Sequence, residues 1–126
     1  MMVLKVAVTG SRNWKDVDFI TAKLERIKQQ VDETGDRMFV LMGDARGADS
    51  IARQWAKNAK VGLTIYYADW HSYGKGAGPK RNQEIINAEP NILLAFPLNN
   101  SKGTWDCIRR AQKSGIETFI YDEYCN

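Results

Sequence analysis

Met38-Phe39-Val40-Leu41-Met42-Gly43-Asp44-Ala45-Arg46-Gly47-Ala48-Asp49 is the stretch that decides the fold. Its first five residues are apolar without alternation. A strand with one wet face alternates; an unbroken apolar run fits a strand covered on both faces, as in a parallel sheet between two helical layers. A polar turn with two glycines follows. Ile51, Ala52, Trp55, Ala56 and Ala59 then recur at helical spacing between Ala48 and Lys60. The unit is strand, turn, helix.

The same unit repeats outward. Upstream, Leu4 to Thr9 is β-rich, Gly10-Ser11-Arg12 forms the turn, and Asp16 or Asp18 can cap a helix reaching about Thr34, with Phe19, Ile20, Leu24, Ile27 and Val31 on one face. Downstream, Leu63 to Tyr67 reads as a third strand and Ala68 to Pro79 as a long glycine-rich loop. Pro79 suits the first turn of a helix that runs on to Ala88. Asn91 to Phe96 is a fourth buried strand, Gly103 to Ser114 a helix with Trp105, Ile108 and Ala111 inward, and Ile116 to Tyr121 the last strand. Strands and helices that alternate with short connections make a parallel sheet with right-handed crossovers. We expect one α/β domain over residues 1–126, Rossmann-like, with a five-stranded, mainly parallel sheet flanked by helices on both faces. The expected strand order is third, second, first, fourth, fifth, with the switch point between the first and fourth strands.

Composition narrows the function. With 18 basic and 15 acidic residues the net charge is +3, too mild to argue for nucleic acid by itself. No apolar run is long enough to cross a membrane. The opening residues enter a strand directly, without the pattern of a signal peptide, which points to the cytoplasm. Cys107 and Cys125 lack metal-ligand spacing and read as free thiols. His71, the single histidine, has no metal partner in sequence, and no cofactor is expected.

In an open parallel sheet, ligands bind outside the carboxyl ends of the strands. Helix N-termini there offer free N–H groups and a positive dipole end to an anion. Three loops suit that role: Gly10-Ser11-Arg12, the Gly43-to-Asp49 loop, and Pro97-Leu98-Asn99-Asn100-Ser101-Lys102-Gly103-Thr104. Gly78-Pro79-Lys80-Arg81-Asn82-Gln83-Glu84 adds cations at a helix start, against the dipole, and Arg81 can grip a phosphate with two parallel N–H bonds. Arg46 is a further cation for the cleft. Asp49 can cap the second helix or bind a ribose hydroxyl. Trp14, Trp70 and Trp105 lie in or beside cleft-edge loops, where an aromatic face can stack on a base. The full dinucleotide fingerprint and the P-loop pattern are both missing. The predicted ligand-binding set is Gly10, Ser11, Arg12, Gly43, Arg46, Asp49, Trp70, Lys80, Arg81, Asn82, Ser101, Gly103 and Thr104.

Taken together and in order, Val8-Thr9-Gly10-Ser11-Arg12, Gly43 to Asp49, Ala68-Asp69-Trp70 with Tyr73-Gly74-Lys75, Ala77 to Asn82, and Ala95-Phe96-Pro97 with Gly103-Thr104 resemble the YspA-like branch of the SLOG superfamily. That Rossmann-like group includes the LOG phosphoribohydrolases and the DNA-processing protein DprA. The resemblance implies a nucleotide or nucleotide derivative as ligand, and self-association. LOG enzymes cleave the N-glycosidic bond of a nucleoside monophosphate with an Arg-Lys pair and a Pro-Gly-Gly-x-Gly-Thr-x-x-Glu loop. Arg81 and Gly103-Thr104 match that pattern. Asn82 replaces the lysine, and Cys107 falls where the glutamate belongs. Glu84, one turn from Arg81, is then the first candidate for a catalytic carboxylate, Asp106 the second and Asp69 the third. The leading reading is a nucleotide-binding sensor or sequestering domain. An N-glycoside hydrolase is the alternative, and a binder of single-stranded DNA the third.

Overall fold

The computed structural model describes residues 2–99 and 101–122. Its elements are β1 (Val3–Gly10), α1 (Val17–Glu33), β2 (Arg37–Gly43), α2 (Ala48–Asn58), β3 (Gly62–Tyr66), α3 (Trp70–Tyr73), a single 3-10 turn (Gly74–Gly76), α4 (Ala77–Asn87), β4 (Ile92–Phe96), α5 (Lys102–Lys113) and β5 (Glu117–Ile120). The five strands form one sheet in the order β3-β2-β1-β4-β5, and every pairing is parallel.

The apolar run on β2 divides as a doubly covered strand must. Met38, Val40 and Met42 face one core, where α1 contributes Ile20 and Leu24 and α2 contributes Ala52 and Trp55. Phe39 and Leu41 face the opposite core, filled by Ile85 and Ile86 of α4 and Cys107 and Ile108 of α5. β1 and β4 split the same way, with Val8 and Leu94 on the first side and Ala7 and Leu93 on the second. Burial of these side chains, each contributing about 1.5–3 kcal/mol when large and fully enclosed, holds the two helical layers on the sheet.

Three expectations are corrected. The segment 68–79 is largely helical rather than a loop: Asp69 caps α3 by accepting a hydrogen bond from the Ser72 amide at 3.1 Å, and α4 starts at Ala77, two residues before Pro79. Trp105 is 38% exposed, because the buried stripe of α5 is Thr104, Cys107, Ile108 and Ala111, and the next residue after Thr104 is rotated about 100° off it. Trp14 is core, not cleft: it packs against Phe19 and Phe96, and its indole N–H donates to the Asp16 carbonyl at 2.9 Å. The Cys107 thiol is free and buried, which pushes its pKa up to about 12; Cys125 lies outside the described residues. Among the described residues no helix is long and apolar enough to cross a membrane.

Candidate functional site

At the switch point β1 runs between β2 and β4, and the chain leaves the ends of β1 and β4 toward opposite faces of the sheet. A cleft of about 620 Å³ opens there. That volume lies within the range of small-molecule sites. Its walls come from the loop after β1, the start of α2, α3, and the first turns of α4 and α5.

The predicted residues Gly10, Ser11, Arg12, Asp49, Trp70, Arg81, Asn82, Ser101, Gly103 and Thr104 all line this cleft, as does Asp106. Asn13, Lys75, Asn99, Lys102 and Arg109 also line it; Asn99 and Lys102 lie in a loop expected at the site and Lys75 in a family motif, but none of the five was among the expected contacts. Arg109 had a signal: it follows Asp106 by three residues, so both can lie on one face of α5. Gly43, Arg46, Lys80 and Glu84 do not line it. Arg46 is exposed, and Lys80 holds its ammonium over the exposed Tyr73 ring at 5.0 Å. Glu84 is exposed because α4 buries its neighbours Ile85 and Ile86 against the sheet. Asp69 is occupied as the α3 cap. Among the described residues no three metal-ligating side chains cluster.

The cleft floor is built from two helices and a glycine. Asp49, the second residue of α2, is 5% exposed, and one oxygen accepts from the Ala45 amide at 3.3 Å. It does not cap α2, whose cap position is Gly47. Burial pushes its pKa up to about 6, against the opposing pull of the nearby Arg81 and Arg53 guanidinium groups. Arg53 pins the loop beneath by donating to the carbonyls of Gly43 and Ala45 at 3.1 and 3.0 Å. A side chain on Gly43 would overlap Arg81 Nη1 and come within 2.7 Å of Asp49 Oδ2. Gly43 therefore makes room for the floor and does not itself line the cleft.

Arg81 is already engaged. Nη1 donates to Asp44 at 3.0 Å and to the Tyr66 carbonyl at 3.4 Å, and Nε donates to Asn82 Oδ1 at 3.1 Å. The free two-bond fork expected of it is thus partly committed. Asn82, 4% exposed, is a bracket between helices: its amide N–H groups go to the Gly103 carbonyl at 3.1 Å and to Asp106 Oδ2 at 3.0 Å. Arg110 donates to the same Asp106 oxygen at 2.8 Å. Partial burial opposes ionisation of Asp106, but these bonds from Arg110 and Asn82 outweigh it and hold the carboxyl below its usual range. The two cleft carboxyls are therefore shifted in opposite directions, Asp49 toward easier protonation and Asp106 toward the anion.

Ser11 behaves differently from expectation. Its amide donates to the Phe96 carbonyl at 2.9 Å and its carbonyl accepts from the Ala48 amide at 3.1 Å, so it ties β1 to β4 and α2. Gly10 has no room for a side chain, which would overlap Ala48 Cβ. By contrast the three long helices that open at the cleft, α2, α4 and α5, begin without a side-chain cap. Ser101 stands at the cap position of α5, but its hydroxyl accepts from the Leu98 amide at 3.0 Å instead. Gly103 has open space where a side chain would be.

Residues 4–73 match the family described as YAcAr, the YspA, cpYpsA-related SLOG family. Over 124 residues the chain is 40% identical to the Gene 61 protein of Mycobacterium phage D29, a match covering 94% of this chain and 97% of the phage protein. The match takes in most of β1 through α3, including the β1 and β2 loops and Trp70 at the cleft. On these grounds the chain belongs to the YspA, cpYpsA-related SLOG family.

Proposed function

We propose that the cleft binds a nucleotide or nucleotide-derived ligand, with a phosphoribosyl or ADP-ribose-like group, and that the protein serves as a sensor or sequestering domain for it. Family membership supports a nucleotide-related role. One observation carries the rest: α5 opens without a side-chain cap at a cleft that also holds Arg12, Lys75, Arg81, Lys102 and Arg109, and the starts of α2 and α4 line the same cleft. The first-turn N–H groups of α5, the helix dipoles and these cations all favour a phosphate. Calorimetry with AMP, ADP-ribose and adenosine tests the reading. The phosphorylated compounds should bind at least tenfold more tightly than adenosine, since a charge-assisted hydrogen bond contributes roughly 1.5–3 kcal/mol. Equal binding of all three would overturn it.

A second reading, hydrolysis of an N-glycosidic bond, is favoured by the two cleft carboxyls. Environments that push two carboxyls apart suit an acid and an electrostatic partner. Asp49 would protonate the leaving base and Asp106 would stabilise positive charge on the sugar. Release of base from a panel of nucleoside monophosphates tests this. Turnover should vanish in Asp49→Asn and persist in Glu84→Gln; no turnover by the wild type removes the reading.

A further inference from the structure

We propose that Trp70 is the platform on which the planar base of the ligand stacks, with Arg12 closing over the outer face of that base; this rests on the nucleotide reading above. Of the four tryptophans, Trp14 and Trp55 are 8% and 6% exposed and sit in the core. Trp55 also spends its indole N–H on Glu25 at 2.8 Å. Trp105 is partly exposed but does not line the cleft. Trp70 is 48% exposed and lines it. Neither of the other exposed aromatics nearby competes: Tyr67 and Tyr73 are outside the cleft wall, and Tyr73 is covered by the Lys80 ammonium.

The indole is held in place before any ligand arrives. Asp69 caps the short turn that carries it, through the Ser72 amide at 3.1 Å, and the Tyr73 amide donates to the Asp69 carbonyl at 3.0 Å. The far end of the ring rests on α4 at Gly78, where a side chain would come within 3.3 Å of Trp70 Cη2. The residue at that contact is a glycine, so the edge of the indole can approach α4 closely. Holding a large ring half-exposed costs hydrophobic burial, and a base stacked on it recovers that burial.

Arg12 supplies the other half. Its guanidinium carbon lies 5.8 Å from the Trp70 ring centroid, and the residue is exposed and also lines the cleft. A modest outward swing of this side chain admits a base between two flat π-compatible surfaces, indole below and guanidinium above. The phosphate would then point toward the uncapped start of α5, where Lys102 stands, with Arg109 about two turns further along the same helix. Stacking of this kind accepts any base, because every base has a π-face.

The test compares AMP with ribose phosphate by calorimetry on the wild type, Trp70→Leu and Trp70→Phe. Trp70→Leu should weaken AMP by about tenfold or more, from the usual loss on removing a stacking aromatic. It should leave ribose phosphate unchanged, and Trp70→Phe should fall between. A loss of AMP and ribose phosphate by the same factor, or no loss of AMP, would overturn the platform while leaving the nucleotide reading intact. Failure of the wild type to bind either compound would overturn both. Circular dichroism of the variants, matching the wild type, excludes unfolding as the cause.

Discussion

Asp49 and Arg81 both reach the space above Gly43, one from the start of α2 and the other from the second turn of α4, and the absence of a side chain on Gly43 leaves that space to them. This convergence brings together helices on opposite faces of the sheet at the floor of the cleft. It sets the charge of the floor, since the guanidinium of Arg81 is the largest influence opposing the effect of burial on Asp49.

Gly43→Ala should therefore disturb the site and the fold together. The added methyl overlaps Arg81 Nη1, and Arg81 must leave its bond to Asp44. Overpacking of this kind costs about 1–3 kcal/mol. Urea unfolding should show a lower midpoint with an unchanged slope. An unaltered midpoint would mean that Arg81 moves aside freely.

Asp49 makes stability depend on pH in a definite direction. Its folded pKa, about 6, lies above its ordinary value of 3.8, so between those values the folded protein binds the proton more tightly than the unfolded chain. The stability owed to this group is greatest below about pH 4, falls as pH rises to about 6, and is level above that. Asp49→Asn keeps an acceptor for the Ala45 amide and carries no charge. It should be more stable than the wild type near neutral pH, by on the order of 2–3 kcal/mol at most. The gap should close toward pH 4. Urea titrations of both proteins across that range check it; a gap independent of pH would contradict a buried, destabilising anion.

Arg81→Ala should weaken AMP by about tenfold or more while changing adenosine little, because the lost interaction is with the phosphate. Arg81→Lys keeps the charge without the planar fork and should lie between. Calorimetry on the three proteins decides it. Parallel weakening of AMP and adenosine would assign Arg81 to the scaffold alone.

Asn82→Ala removes the bracket between α4 and α5. It strips the Gly103 carbonyl of its Asn82 bond and Asp106 of one of two bonds that hold it ionised. Leaving a buried polar partner unsatisfied costs about 1–3 kcal/mol. Carbon-detected NMR titration should find the Asp106 carboxyl higher than in the wild type, moved toward its ordinary range. An unmoved value would show that Arg110 alone holds it.

The sequence by itself determined the layers, the strand order and the edge at which the cleft opens. The reason is local: the unbroken apolar runs at Met38–Met42 and Ile92–Phe96 demand cover on both faces, and the helical stripes of α1, α2 and α5 supply it. Motif order also carried the family, and ten of the thirteen predicted binding residues reach one cleft.

What only the tertiary structure decided is the job of each residue there. Gly43 and Gly10 are glycines because Arg81 and Ala48 press against them, a fact of packing between segments far apart in sequence. Asn82 is a bracket because Gly103 and Asp106 come to it from another helix. Glu84 looked apt from its spacing, but the phase of α4 is fixed by burying Ile85 and Ile86, which turns Glu84 to solvent. Asp49 and Asp106 are shifted in opposite directions because one is enclosed and the other is hydrogen-bonded, and neither burial nor cross-helix bonding is written in the order of residues.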